Sequence, residues 1–223
     1  MLENLIPNWD RAGDRLVDAT IATLQMVGIT GSISFILGIT FGVMLVVTKK
    51  GGILENLFIY NFLDKIINAI RAIPFLILLI LLIPLSRAIV GTGIGVAGAI
   101  IPLIFGTTPF FARQIESAIA ELDSGLIEAS LAMGMSPLEI IFSVYLRESI
   151  PSIARVTQIT AINLVALTTF AGAVGAGGLG DFAIQFGQQL GLIDLLWVTI
   201  IIILIIVSII QAVGNIVIKY STK

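Results

Sequence analysis

The chain has 223 residues, 57% hydrophobic and only 12% charged, with a formal net charge of −2 and neither cysteine nor histidine. Charge this sparse, against roughly 25% in soluble domains, excludes an ordinary water-soluble fold. The missing His and Cys exclude disulfides, thiolate or imidazole metal sites and Ser-His or Cys-His nucleophile pairs. Without a basic patch, no nucleic-acid partner is expected.

The apolar residues gather into runs longer than the ~20 that a helix needs to cross a bilayer core. Residues 1–18 are polar and mixed in charge, with no basic start running into a short apolar stretch and a cleavage site. The first membrane helix is therefore read as the insertion signal. It is expected from about Thr20 to Thr48, stopping at Lys49-Lys50, and a polar stretch follows to about Asn68. The second span, about Ala69 to Leu85, carries Pro74 and Pro84, which membrane helices tolerate where neighbours satisfy the freed carbonyls. The third, about Val90 to Phe111, begins glycine-rich and ends at Arg113. The longest segment outside the membrane, 113–153, leads to a fourth span at about Ala154 to Ala173. A glycine-rich loop to Gly191 and a fifth span, about Leu192 to Val217, complete the chain. The expected fold class is an all-α polytopic membrane protein of about five transmembrane helices, forming one domain over residues 1–223.

Five crossings put the two ends on opposite sides, and the Lys and Arg bias selects the orientation. With the N-terminus outside, the inner side collects Lys49, Lys50, Lys65, Arg71, Arg113, Arg147, Arg155, Lys219 and Lys223, leaving Arg11, Arg15 and Arg87 outside, nine against three. Segment 113–153 is then cytoplasmic, as is the C-terminus.

Within that segment, residues 123–134 read as a short helix stopped by Gly134, because glycine takes the left-handed conformation of a helix end at little cost. Ser136, Pro137 and Glu139 then form a helix start: N-cap, proline at N1 and a capping-box glutamate at N3. Two helices meet at a tight turn, and Leu126, Ile127, Leu131 and Met133 leave apolar surface on the first. Such a knob on a cytoplasmic face needs a partner.

Glu128-Ala129-Ser130, three residues, then Gly134 resembles the Glu-Ala-Ala-x-x-x-Gly loop of permease subunits of bacterial ABC importers. Residues 71–79, 108–113, 126–134 and 172–180 extend the likeness, nearest to permeases of methionine importers. The resemblance implies the type I importer permease fold and assigns ATPase docking to Glu128, Ala129 and Gly134, with Ser130 inside the same motif and Leu131, Met133 and Met135 as contact residues. The family's Leu-Pro farther on is replaced here by Leu146-Arg147, which leaves the course of the following helix open, with Pro151 as another source of a bend.

Two sequence matches are set aside. Gly175 to Gly180 has the G-x-G-x-x-G spacing, yet it follows a membrane helix instead of a strand and lacks an acidic residue ~20 positions on; close helix packing is the expected role. Gly178-Leu179-Gly180-Asp181 matches an intramembrane aspartyl protease element, but a second carboxylate at membrane depth is missing. No phosphate-binding G-x-x-x-x-G-K-[ST] loop occurs, so the chain itself carries no cofactor, and ATP with Mg is expected on a partner.

The spans hold almost no charge, which disfavours proton- or ion-coupled transport. Met44, Phe110, Phe111 and Asn163 are candidates for the pathway or gate. The expected assembly is two copies of this chain, as symmetric pairing favours, two ABC ATPase subunits and an external substrate-binding protein, embedded in the lipid of a bacterial inner membrane. Methionine is the expected solute; a permease for another small nutrient and a passive channel are the alternatives.

Overall fold

A computed structural model describes residues 8–221, and every regular element among them is helical. Four helices are long and apolar enough to cross a membrane: α1 (Trp9–Thr48), α5 (Gly95–Ala120), α8 (Ile150–Gly172) and α10 (Ile193–Ser221). At about 1.5 Å per residue, the 40 residues of α1 outrun a ~30 Å hydrocarbon layer. Its polar first turns, with Asp10, Arg11, Asp14 and Arg15, supply the excess.

The expected second span is divided. α2 (Leu57–Ala72) takes in much of the stretch read as polar loop, and α3 (Phe75–Leu81) and α4 (Ile83–Val90) follow. Pro74 lacks an amide hydrogen and disfavours helical torsions at Ile73, so α2 stops there, and Pro74 serves as the N-cap of α3. The second break, at Leu82, precedes Pro84 in the first turn of α4. Gly91, at φ 79°, closes α4 in the left-handed region. The third span, in contrast, outlasts its expected end by more than two turns, since α5 runs through Arg113 to Ala120.

Between α5 and α8 lie α6 (Ser124–Ala132), α7 (Pro137–Ile140) and a wider π-helical stretch, Ile141–Leu146. The chain stays helical through Arg147 and turns at Ser149, two residues before Pro151. α9 (Gly178–Phe182) and a second π-helical stretch, Ala183–Gln189, separate α8 from α10.

The chain forms two compact units. One comprises residues up to 33, 73–107 and 161–210. Its apolar clusters are built from Leu16, Val165, Leu179, Phe182 and Leu195, and from Met26, Leu79, Leu103, Leu164 and Ala171. The glycine run works here as packing: a Cβ on Gly178 would stand 2.7 Å from Thr23 Oγ1, and one on Gly180 2.2 Å from the Thr169 carbonyl oxygen. The Leu179 amide donates to Thr23 Oγ1 at 2.8 Å. Asn8 donates twice to the Asp194 carboxylate, from its amide at 3.0 Å and from Nδ2 at 2.9 Å, which ties the start of α1 to the start of α10.

The other unit comprises residues 34–72, 108–160 and 211 onward. Its main cluster joins Val43, Val46 and Val47 of α1 to Phe111, Ile115 and Ile119 of α5 and to Ile140, Ile141, Val144 and Tyr145. Small residues let α1 and α5 approach: a Cβ on Gly38 would meet Phe111 Cδ1 at 2.4 Å, and one on Gly42 the Ala112 carbonyl oxygen at 2.8 Å. A smaller cluster sets Ile67 of α2 against Leu45 and Ala112.

Candidate docking site

The second unit contains the segment singled out by sequence. α6 starts at Asp123, whose Oδ1 accepts the Gly125 amide at 2.9 Å. It ends in two hydrogen bonds characteristic of a glycine-terminated helix. The Gly134 amide donates to the Leu131 carbonyl at 3.0 Å and the Met135 amide to the Ser130 carbonyl at 3.2 Å. Gly134 has φ 79°, in the region where a side chain crowds the backbone.

α7 begins two residues later with a complete capping box. Ser136 Oγ accepts the Glu139 amide at 3.4 Å, while Glu139 Oε2 accepts from the Ser136 amide and hydroxyl, both at 2.7 Å. The Ser136 hydroxyl and then its amide hold the Glu139 carboxyl below its ordinary pKa, since both favour the ionised form. The residues between the two helices, Met133 to Met135, are thus fixed from both ends by backbone and cap bonds.

This local geometry divides the seven predicted docking residues into two groups. Glu128, Ala129, Leu131, Met133 and Gly134 are exposed, Met133 by 73% and Leu131 by 49%. Ser130 is buried, its hydroxyl donating to the Leu126 carbonyl at 2.7 Å, and Met135 is half-buried against the main cluster, as is Ile127. Ser130, Met135 and Ile127 anchor the segment, while the others form its outer face. Sequence reasoning missed Leu138 and Phe142, each 66% exposed. The available signal was their four-residue spacing after the capping box.

The pathway candidates are not gathered in one unit. Met44, Phe110 and Phe111 belong to the second and Asn163 to the first. Met44, Phe110 and Asn163 are half-buried. Phe111 is 1% exposed and stacks on Phe35 with ring centroids 5.9 Å apart, which makes it a packing residue of the main cluster. Among the described residues no group of three or more Asp, Glu, His or Cys side chains is placed to hold a metal ion.

The whole chain has close relatives. Over 95% of both chains it is 44% identical to a probable D-methionine transport system permease protein of Vibrio cholerae. It is 40% identical, over the full length of both, to a methionine import system permease protein of Bacillus subtilis. A solved chain of the MetNI methionine ABC transporter in an inward-facing conformation superposes with a TM-score of 0.93, covering 96% of this chain and 99% of that one at 39% identity. Residues 36–222 match the family described as binding-protein-dependent transport system inner membrane component. The chain belongs to that family: it is a multi-pass membrane permease with the all-α fold of an ABC importer's transmembrane subunit.

Proposed function

We propose that this permease imports methionine, two copies forming the pathway and each docking one ATP-hydrolysing subunit through the segment Glu128 to Met135. The observation that carries the docking role is the outer face of α6. Leu126, Glu128 and Leu131 are exposed along this helix, as is Met133 at its C-cap, and the segment is pinned at both ends. Solvated apolar surface of this kind marks an interaction site. The names of the relatives from Vibrio cholerae and Bacillus subtilis support methionine as the solute. Weakly polar, almost uncharged spans suit a net-neutral amino acid.

In this reading the chain is one permease domain, with the N-terminus outside and segment 113–153 and the C-terminus in the cytoplasm. A substrate-binding protein delivers the solute from outside. ATP and Mg are bound by the partner, whose closure acts on the docking segments, and solute passage is a change in the balance of two conformations. Met44, Phe110 and Asn163 contribute to the pathway or its gate, whereas Phe111, buried in the main cluster, supports the packing of α1 on α5.

The test is recovery of the tagged permease from membranes. An ATP-binding-cassette subunit is expected to accompany it and to be lost when residues 128–134 are replaced. Methionine flux through liposomes holding this chain alone, without any ATPase, would establish a passive channel instead.

A further inference from the structure

Arg113 is the one arginine of α5, a helix with the composition of a membrane span, and its side chain is only 17% exposed. Its guanidinium reaches across to α2. One terminal nitrogen pairs with Asp64 Oδ1 and also donates to Asn68 Oδ1 at 3.1 Å; the other donates to Glu116 Oε2 at 2.7 Å. Asn68 Nδ2 donates in turn to Asp64 Oδ2 at 3.1 Å, so Asp64, Asn68 and Arg113 close a ring. Asp64 and Asn68 stand four residues apart and share one face of α2, which gives the planar fork two fixed acceptors on a single helix.

α5 has a different neighbour on its other side. Phe111, Ile115 and Ile119 pack on Ile140, Ile141, Val144 and Tyr145, the same cluster on which Ile127 and Met135 of the docking segment rest. α5 is therefore held on one face by the cluster on which the docking segment also rests, and on another by α2. The apolar support of α2 is smaller: Ile67, with Tyr60 and Leu63 packed beside it, joins Leu45 of α1 and Ala112 of α5 in a cluster of three buried residues.

We propose that Arg113 is a positioning residue for transport, a bracket that makes α2 follow α5 when the docking segment is displaced. α2 is cut off from α3 at Pro74, so without the bracket it has no rigid helical continuation to carry it. The inference rests on the docking role proposed for Glu128 to Met135.

The test uses the permease with its ATPase in proteoliposomes, supplied with binding protein and methionine, and reads ATP hydrolysis and uptake in the same vesicles. Arg113→Gln and Asp64→Asn each retain the assembled complex and hydrolyse ATP within about twofold of the parent. Methionine taken up per ATP falls by about tenfold or more, inside the 5–150-fold range of site-to-site coupling. The double variant falls no further than either single one, because Asp64 and Arg113 act as a unit. The parent chain has no cysteine, so Asp64→Cys with Arg113→Cys supplies the only thiols in the permease. Bridging them with a bifunctional methanethiosulfonate restores uptake per ATP.

An unchanged ratio in both single variants overturns the bracket, as does a confirmed bridge that leaves uptake uncoupled. So does a parallel loss of complex, hydrolysis and uptake, which is what a purely structural role produces. If the parent permease recovers no ATPase, the docking reading itself fails, and that result is separable from the three above.

Discussion

Replacing Gly134 tests the docking turn through the backbone alone. The residue sits at φ 79° with no heavy atom within 4 Å of where a Cβ would be, so a small side chain meets no neighbour in this chain. The cost is then conformational: about 1–2 kcal/mol for an ordinary L residue in the left-handed region, less for Asn, which tolerates it, and more for a β-branched residue. A penalty of 1–2 kcal/mol changes a population about 5- to 30-fold. What is lost is the pair of terminal bonds, Gly134 to Leu131 and Met135 to Ser130, and with them the placement of Met133. The series Gly134→Asn, Gly134→Ala, Gly134→Val should therefore lose ATPase co-purification and methionine uptake in that order. Wild-type recovery in Gly134→Val would refute the turn. Equal loss in Asn and Val would refute the backbone argument and point to collision with the docked partner.

Gly42→Leu forces α1 and α5 apart, because a Cβ there would stand 2.6 Å from Ile115 Cβ and Cγ2 and 2.8 Å from the Ala112 carbonyl oxygen, and neither a Cβ nor a backbone carbonyl can swing aside. A loss of about 1–3 kcal/mol is expected from overpacking, read as a lower thermal midpoint of the purified permease in detergent. Ser136→Ala removes the N-cap of α7 at a cost of about 1 kcal/mol, visible as faster amide exchange at residues 138–141. Glu139 has a depressed pKa from its bonds to Ser136, so its cap is fully formed above the ordinary carboxylate value and is lost as pH falls through the lowered one. Exchange at the Ser136 amide, corrected for intrinsic rate, should rise with acidification in the parent and stay flat in Glu139→Gln. Met133→Asp puts a charge at the tip of the exposed face and should abolish ATPase recovery with no change in thermal midpoint.

Two features of this protein were legible before any coordinates, and both depend on short-range physics. Membrane character follows from the density of apolar residues and needs no knowledge of what each one touches. The α6–α7 turn follows from groups within five residues of one another: Gly134 with its positive φ, and Ser136, Pro137 and Glu139 closing a capping box. The sequence contains both partners of each of those bonds at a fixed separation, so it determined the turn. It did not determine which side of the turn faces inward. Ser130 and Met135 belong to the docking motif by spacing yet serve as its anchors, because the apolar cluster beneath them is assembled from α1, α5 and residues 140–145. The same limit explains α2 and the length of α5. Asp64, Lys65 and Asn68 read as a polar loop, and Arg113 as the end of a span, only while their partners are unknown. Arg113 meets Asp64 across 49 residues of chain, and that pairing is what allows two charged side chains to sit between helices instead of ending them. Composition and local capping thus belong to the sequence by itself; the pairing of distant charges, and with it the division of docking residues into face and anchor, was decided only by tertiary packing.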